Sequence, residues 1–176
     1  MFSANRASAQ IAVDLAPTQF SVNIIPLMAQ FEARVGEKQS VTLGGGLGYS
    51  LYYSNVNGNG DFEAYTTPFV SASLRNYYNR KSVKKNNLKR NSGNYVALLV
   101  DYQFDTYVDL GILGSGETDL NSYSIGPVWG FQRNYGSGLH FDLSIGLGYT
   151  GGQSDEFVEI ENSVTFIGGL ELGYRF

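Results

Sequence analysis

The sequence predicts an all-β fold, a closed antiparallel transmembrane barrel of eight strands in an up-and-down meander. Three observations predict it. From Leu139 to Tyr149 the odd positions are Leu139, Phe141, Leu143, Ile145, Leu147 and Tyr149, and the even ones are His140, Asp142, Ser144, Gly146 and Gly148. Side chains of a strand alternate between two faces, so this segment has one face for hydrocarbon and one for water or confined space. The alternation recurs along most of the chain and reaches Leu170, Leu172, Tyr174 and Phe176 at its end. Second, the polar faces are unlike those of a soluble sheet, which meets bulk water with lysine, glutamate and threonine. Here Lys38, Lys81, Lys84, Lys85 and Lys89 all fall in connections, whereas the polar faces carry Gly44, Gly46, Gly48, Gly126, Gly130, Gly146, Gly148, Gly169 and Gly173. Small residues with scattered charges suit a narrow closed interior, which makes the apolar face the exterior. Third, the chain is 43% hydrophobic, yet its longest apolar runs, such as Tyr95 to Val100, are six residues. A transmembrane helix needs about 20.

Strands are expected over roughly 9–17, 23–35, 40–53, 66–78, 94–105, 121–134, 138–150 and 162–176. The first is short, points Ile11, Val13 and Leu15 outward and ends at Pro17. It is included because an even count puts both termini on one side, as in single-chain bacterial outer-membrane barrels. The second exposes Ile25, Leu27, Phe31 and Val35, and the third Val41, Leu43, Leu47 and Leu51. Val70 and Leu74 face outward on the fourth, Val96, Leu98 and Val100 on the fifth, and Ile125, Trp129 and Phe131 on the sixth. The seventh exposes its odd residues and the eighth Phe166, Leu170 and Leu172. Residues 10–176 form one domain. Residues 1–9 are a signal-peptide remnant or an irregular N-terminus: Ala7, Ser8 and Ala9 have the form of an export cleavage site, but residues 1–6 lack an apolar stretch.

Connections at 36–39 and 135–137 are tight, and those at 54–65, 106–120 and 151–161 are long. In such barrels short turns face the periplasm and long loops face outward. The link 79–93 is long but periplasmic by count. Charge follows the same division. The three outer loops carry nine acids (Asp61, Glu63, Asp109, Glu117, Asp119, Asp155, Glu156, Glu159, Glu161) and no lysine or arginine, while 79–93 carries six bases and no acid. Tyr49, Tyr53, Tyr102, Tyr123 and Tyr149 mark one rim and Tyr78, Tyr135 and Tyr174 the other, as aromatic girdles do.

The segment Tyr123 to Gln132 and the terminal Gly173, Tyr174, Arg175 and Phe176 resemble the small eight-stranded outer-membrane barrels of Gram-negative bacteria, especially those of Bacteroidota type. The resemblance covers nearly the whole chain. It implies residence in the outer membrane, contact with its lipid, and insertion by the barrel-assembly machinery, with Phe176 as the assembly signal. It implies no activity, because fold is no warrant for function.

The absence of cysteine excludes disulfides and thiol chemistry, and a net charge of −4 speaks against nucleic acid as a partner. Parity places Asp14, Glu32, Arg34, Arg75, Asp101, His140, Asp142, Glu171 and Arg175 inside. Side chains nearly fill an eight-stranded barrel, and buried charges must pair. Glu32, Arg34, Arg75, Asp101, His140, Asp142, Glu171 and Arg175 are therefore expected to form a salt-bridged plug, not a channel. His140 with Asp142 has the composition of a base and its orienter. Lipid A deacylases and palmitoyltransferases of this size place catalytic groups at the outer rim, however, and no His-x-Ser motif occurs here. Asn57 to Asp61 and Asp155 to Glu161 are oxygen-rich; the first lacks an EF-hand's closing glutamate, and both read as soluble acidic loops without an assigned cation. No cofactor is indicated.

The leading expectation is a non-enzymatic barrel acting by contact, as a structural protein or an accessory subunit of a larger envelope complex. Val108, Leu110, Ile112 and Leu113 on the loop 106–120 form a candidate partner patch. A lipid-modifying enzyme of the deacylase kind and a narrow pore or small-ligand carrier are the alternatives.

Overall fold

A computed structural model describes residues 15–56, 59–80, 88–104, 120–154 and 163–176. Its strands are β1 (Thr18–Ile25), β2 (Leu27–Arg34), β3 (Gln39–Val56), β4 (Asn59–Arg80), β5 (Gly93–Gln103), β6 (Leu120–Asn134), β7 (Leu139–Ser154) and β8 (Ser163–Arg175). Each pairs antiparallel with the next, and β8 closes the ring on β1. No helix occurs among the described residues.

Eight strands are present, as expected, but the first two are not those the alternation marked out. Pro26 divides the segment 23–35 into β1 and β2, with Ile24 paired to Leu27 across the turn. Proline has no N–H to donate to a ladder, and here the chain turns back on itself at that residue. Within the segment 9–17, residues 9–14 lie outside the described residues, and Leu15 to Pro17 are not strand. Leu15 is also not on the exterior: it is fully buried, packed with Tyr77, Tyr95, Ala97 and Val128. One strand lost and one gained leave the count even, so the sidedness of every later connection is unchanged.

The connections 35–38, 81–92 and 135–138 and the C-terminus share one end, hereafter the terminal end. Pro26, 57–58, 104–119 and 155–162 share the distal end. A long loop at 54–65 is not found, because β3 and β4 stay paired out to Val56 and Asn59, with Asp61 opposite Ser54. The link 81–92 is not simply a solvated turn either. Leu88 is buried and bridges Tyr135, and Asn91 and Ser92 are buried beside Asn134. Asn91 has φ of 59°, which asparagine tolerates, and its Oδ1 accepts the Ala16 N–H at 2.6 Å. Leu15, Ala16, Leu88, Asn91 and Ser92 together stopper the terminal end.

Burial is inverted relative to a soluble protein. Inside lie Gln19, Asn23, Gln30, Glu32, Thr42, Arg75, Gln132, Asn134, His140 and Asp142, and outside lie Leu43, Leu74, Leu98, Trp129, Leu147 and Phe166. Phe166 is 77% exposed and Leu43 58%. Exposed aromatics gather at the two ends: Tyr102, Phe104, Tyr123 and Tyr149 distally, and Tyr78, Tyr135, Tyr174 and Phe176 terminally. The span from Tyr123 to Tyr135 on a strand rising about 3.3 Å per residue and tilted about 40° is about 30 Å.

Glycine lets β6 and β7 approach closely. A Cβ on Gly146 would run into the Pro127 carbonyl and the Val128 backbone, whereas one on Gly169 would meet nothing within 4 Å. Gly146→Val should lower stability by about 1–3 kcal/mol through overpacking against backbone. Gly169→Ala should change it by no more than about 0.5 kcal/mol. Urea midpoints followed by the fluorescence of Trp129 check both, and equal midpoints for the two variants would contradict the packing argument.

Candidate functional site: the charged lumen and the cavity above it

Inward parity on β2, β4, β5, β6 and β7 aims Glu32, Arg75, Tyr77, Tyr95, Gln132 and Asp142 at one another across a lumen with no room for bulk water. Arg75 Nη1 donates to Asp142 Oδ2 at 2.7 Å and to Gln132 Oε1 at 2.5 Å, and its Nε donates to Ser73 Oγ at 3.1 Å. The guanidinium also lies over the Tyr95 ring, 4.6 Å from its centroid, while the Tyr95 hydroxyl donates to Asp142 Oδ1 at 2.6 Å. Glu32 has no cationic partner at bonding distance among the described residues. It accepts from Ser40 Oγ at 2.6 Å, from the Tyr77 hydroxyl at 2.9 Å and from Gln132 Nε2 at 3.2 Å. Neutral donors thus replace a second arginine.

The remaining expected lumen residues divide. Glu171 accepts from Asn23 Nδ2 at 2.8 Å and from Gln30 Nε2 at 3.1 Å. His140 is fully buried and its Nδ1 lies 2.7 Å from Asn134 Oδ1, with Nε2 3.9 Å from Glu171 Oε2. Asp142 is occupied by Arg75 and Tyr95, so His140 and Asp142 do not form a base and its orienter. Arg34 is not in the network. It is exposed at the last position of β2, and its Nη1 reaches the Leu15 carbonyl at 3.4 Å. Parity aims it inward, but the barrel ends before anything can surround it. Arg175, also at a strand end, is half-buried and its Nε has no partner among the described residues. Asp101 has no hydrogen bond or ion pair among them. Asp14, Val108, Leu110, Ile112, Leu113 and the stretch Asp155 to Glu161 lie outside the described residues. Phe176 is exposed, with its N–H on the Phe20 carbonyl at 2.9 Å and its ring 5.1 Å from that of Tyr174.

Tyr77, Tyr95 and Gln132 hold the network together and were not singled out in the sequence. The signal was there: Tyr77 is two residues from Arg75, Tyr95 alternates with the outward Val96, Leu98 and Val100, and Gln132 has the parity opposite to the outward Trp129 and Phe131. Tyrosine in a membrane barrel suggests a rim, and these two are instead wholly buried, ring centroids 5.5 Å apart.

Above the plug, towards the distal end, lies a cavity of about 360 Å³. Arg75, Tyr95, Gln30 and Glu171 belong to its lining, with Asp101 on β5 and the apolar Ile25, Phe69, Leu99 and Leu170. No group of residues suited to a metal ion occurs among the described residues.

Arg75→Met should cost about 3–5 kcal/mol, because Asp142 would be left charged and buried. Adding Asp142→Leu to the same chain should recover a large part of that loss. Urea titration of the two variants in detergent micelles measures it, and strictly additive losses would contradict a mutually compensated pair.

No family model matches the chain, and neither a curated protein nor a solved structure matches it.

Proposed function

We propose that this chain is an outer-membrane β-barrel that does not conduct and works by contact, as a structural protein or an accessory subunit of an envelope complex. One observation carries the reading: apolar side chains cover the outside of a closed ring whose interior is polar and hydrogen-bonded. In water that arrangement would expose an apolar belt far larger than a soluble monomer tolerates. In a bilayer it is the low-energy arrangement, since closure satisfies every ladder it joins and hydrocarbon meets the apolar face. The roughly 30 Å between aromatic rims suits an apolar band of about 25 Å flanked by girdles.

Absence of conduction follows from the plug. Arg75, Tyr77, Tyr95, Gln132 and Asp142 bond across the lumen, and the terminal end is stoppered by Leu15 and Asn91. With the lumen occupied, the outer wall and the distal loops are the surfaces through which the protein acts. The basic residues of 81–92 suit anionic headgroups. His140 is sealed from lipid and from solute, which speaks against a lipid-modifying enzyme built on it. The cavity favours a second reading, a carrier of a small ligand.

In planar bilayers the purified monomer should show no steady porin-like conductance; sustained openings would overturn the plugged lumen. Leu147→Arg, at an outward mid-strand position, should cost about 2–4 kcal/mol in lipid. No penalty on refolding into liposomes would count against the membrane assignment. For sidedness, Ser163→Cys at the distal end should react with an impermeant maleimide on intact cells, and Ser137→Cys only after permeabilisation. The reverse pattern would invert the topology.

A further inference from the structure

We propose that the cavity is a binding site for a cationic single-chain amphiphile that enters sideways from the membrane. Its head group is held by Asp101, Glu171 and Gln30, and its chain leaves through a notch in the barrel wall between β8 and β3. The proposal rests on the membrane-inserted reading above.

The notch follows from strand lengths. β1 and β2 have eight residues each, whereas β8 has 13 and β3 has 18. The last β1–β8 pair is Ile25 with Leu172, and the last β2–β3 pair is Leu27 with Leu47. Beyond those points β8 is paired only to β7, and β3 only to β4. Tyr149 of the distal aromatic rim pairs with Val164, so the one-sided stretch of β8 from Thr165 to Glu171 lies within the apolar band. Unpaired backbone at that depth is tolerated only where it lines a cavity or a polar space. The cavity meets that requirement: Ile25 and Pro26 at the crest of the short hairpin, Gly168 and Gly169 on β8 and Gly48 on β3 all belong to its lining.

Two of these glycines are not needed for packing. A Cβ on Gly169 would meet nothing within 4 Å, and one on Gly48 would make only ordinary contacts at 3.6 Å. What glycine leaves there is open width, unlike Gly146, where it relieves a clash with backbone.

The chemistry of the floor selects the ligand. Arg75 is held by Asp142 and Gln132, so its charge is already matched. Asp101 has no bonding partner among the described residues, and Glu171 is held there only by amide donors and the neighbouring histidine. Gln30 is 3% exposed, commits its amide N–H group to Glu171, and leaves Oε1 without a partner. Two carboxylates and an unsatisfied buried amide oxygen share one cavity, and each asks for a donor or a positive charge. Phe69, Leu99 and Leu170 give the rest of the lining an apolar character that suits methylene groups. A primary ammonium on an alkyl chain satisfies both halves, and a fatty acid would put a third carboxylate beside the first two.

The test uses purified barrel in a neutral detergent, offered equal amounts of dodecylammonium and dodecanoate and examined by native mass spectrometry. The expected result is one dodecylammonium per barrel. Removal of a charge-assisted hydrogen bond predicts that Asp101→Asn reduces this adduct about tenfold. Gly169→Trp, which fills the notch, should reduce it similarly, while Val96→Trp on the outer face of β5, away from the cavity, should not. Heat-modifiable gel migration shows that each variant is folded. Equal binding of dodecanoate by the unaltered protein, binding of neither amphiphile, or parent-like binding by both Asp101→Asn and Gly169→Trp would overturn the site. Flotation with liposomes scores membrane insertion separately: insertion without amine capture overturns the site alone, and failure to insert removes the lateral entry route whatever the amine does.

Discussion

Everything inside the barrel is arranged around the Arg75–Asp142 pair. The two side chains come from β4 and β7, on opposite parts of the ring, and meet at 2.7 Å with almost no exposure. An unpaired charge in so confined a space would cost several kcal/mol, so each fixes the other, and both fix their neighbours. Gln132 and Tyr95 use the hydrogen-bonding capacity the pair leaves over, and Gln132 hands the chain of bonds on to Glu32. Strands that are distant in sequence are thereby tied through the lumen as well as around the wall. A network this fully engaged has little capacity left for a passing solute.

The wall has to meet two opposing demands. Closing eight strands around side chains of this size requires close backbone approach at some positions, which Gly146 and Gly126 allow against β6 and β7 backbone. It also leaves the backbone groups along each strand in need of a ladder partner on both sides. Among the described residues the widest departure from that pairing lies above the β1–β2 hairpin, where Pro26 turns the chain back well below the height of its neighbours. That turn creates the cavity's sill, and the one-sided edges of β8 and β3 rise on either side of it. The plug is the work of inward side chains, and the lateral notch is the product of asymmetry in strand length.

The two ends differ in character for a related reason. At the terminal end, Leu15, Leu88, Asn91 and Ser92 fold back over the lumen and are buried there. At the distal end, inward positions of β8 such as Thr165 and Gly169 remain exposed. A ligand that reaches the interior therefore has the distal half available to it and the terminal half closed.

The alternation of apolar and polar residues by itself determined the all-β class, the antiparallel order, the parity of the later strands and the outward placement of Leu43, Leu74, Leu98, Trp129, Leu147 and Phe166. Period-two patterning is local, and a barrel wall two residues thick in chemistry leaves it undisturbed. The inward placement of Glu32, Arg75, His140, Asp142 and Glu171 was legible for the same reason. Tertiary structure decided what parity does not encode. Pro26 could end a strand or reverse it, and only the pairing of Ile24 with Leu27 distinguishes these. Leu15 reads as a wall residue, yet it is a stopper, because Leu15 and Ala16 are buried against the lumen and Asn91 instead of joining the sheet. Arg34 and Arg175 share the inward parity of the plug but stand at strand ends, where height along the axis outweighs parity. Which inward groups bond to which depends on the shear of the closed ring, a property of all eight strands at once. The notch likewise exists only as a difference in length between strands brought side by side by closure, and no single segment of the sequence contains it.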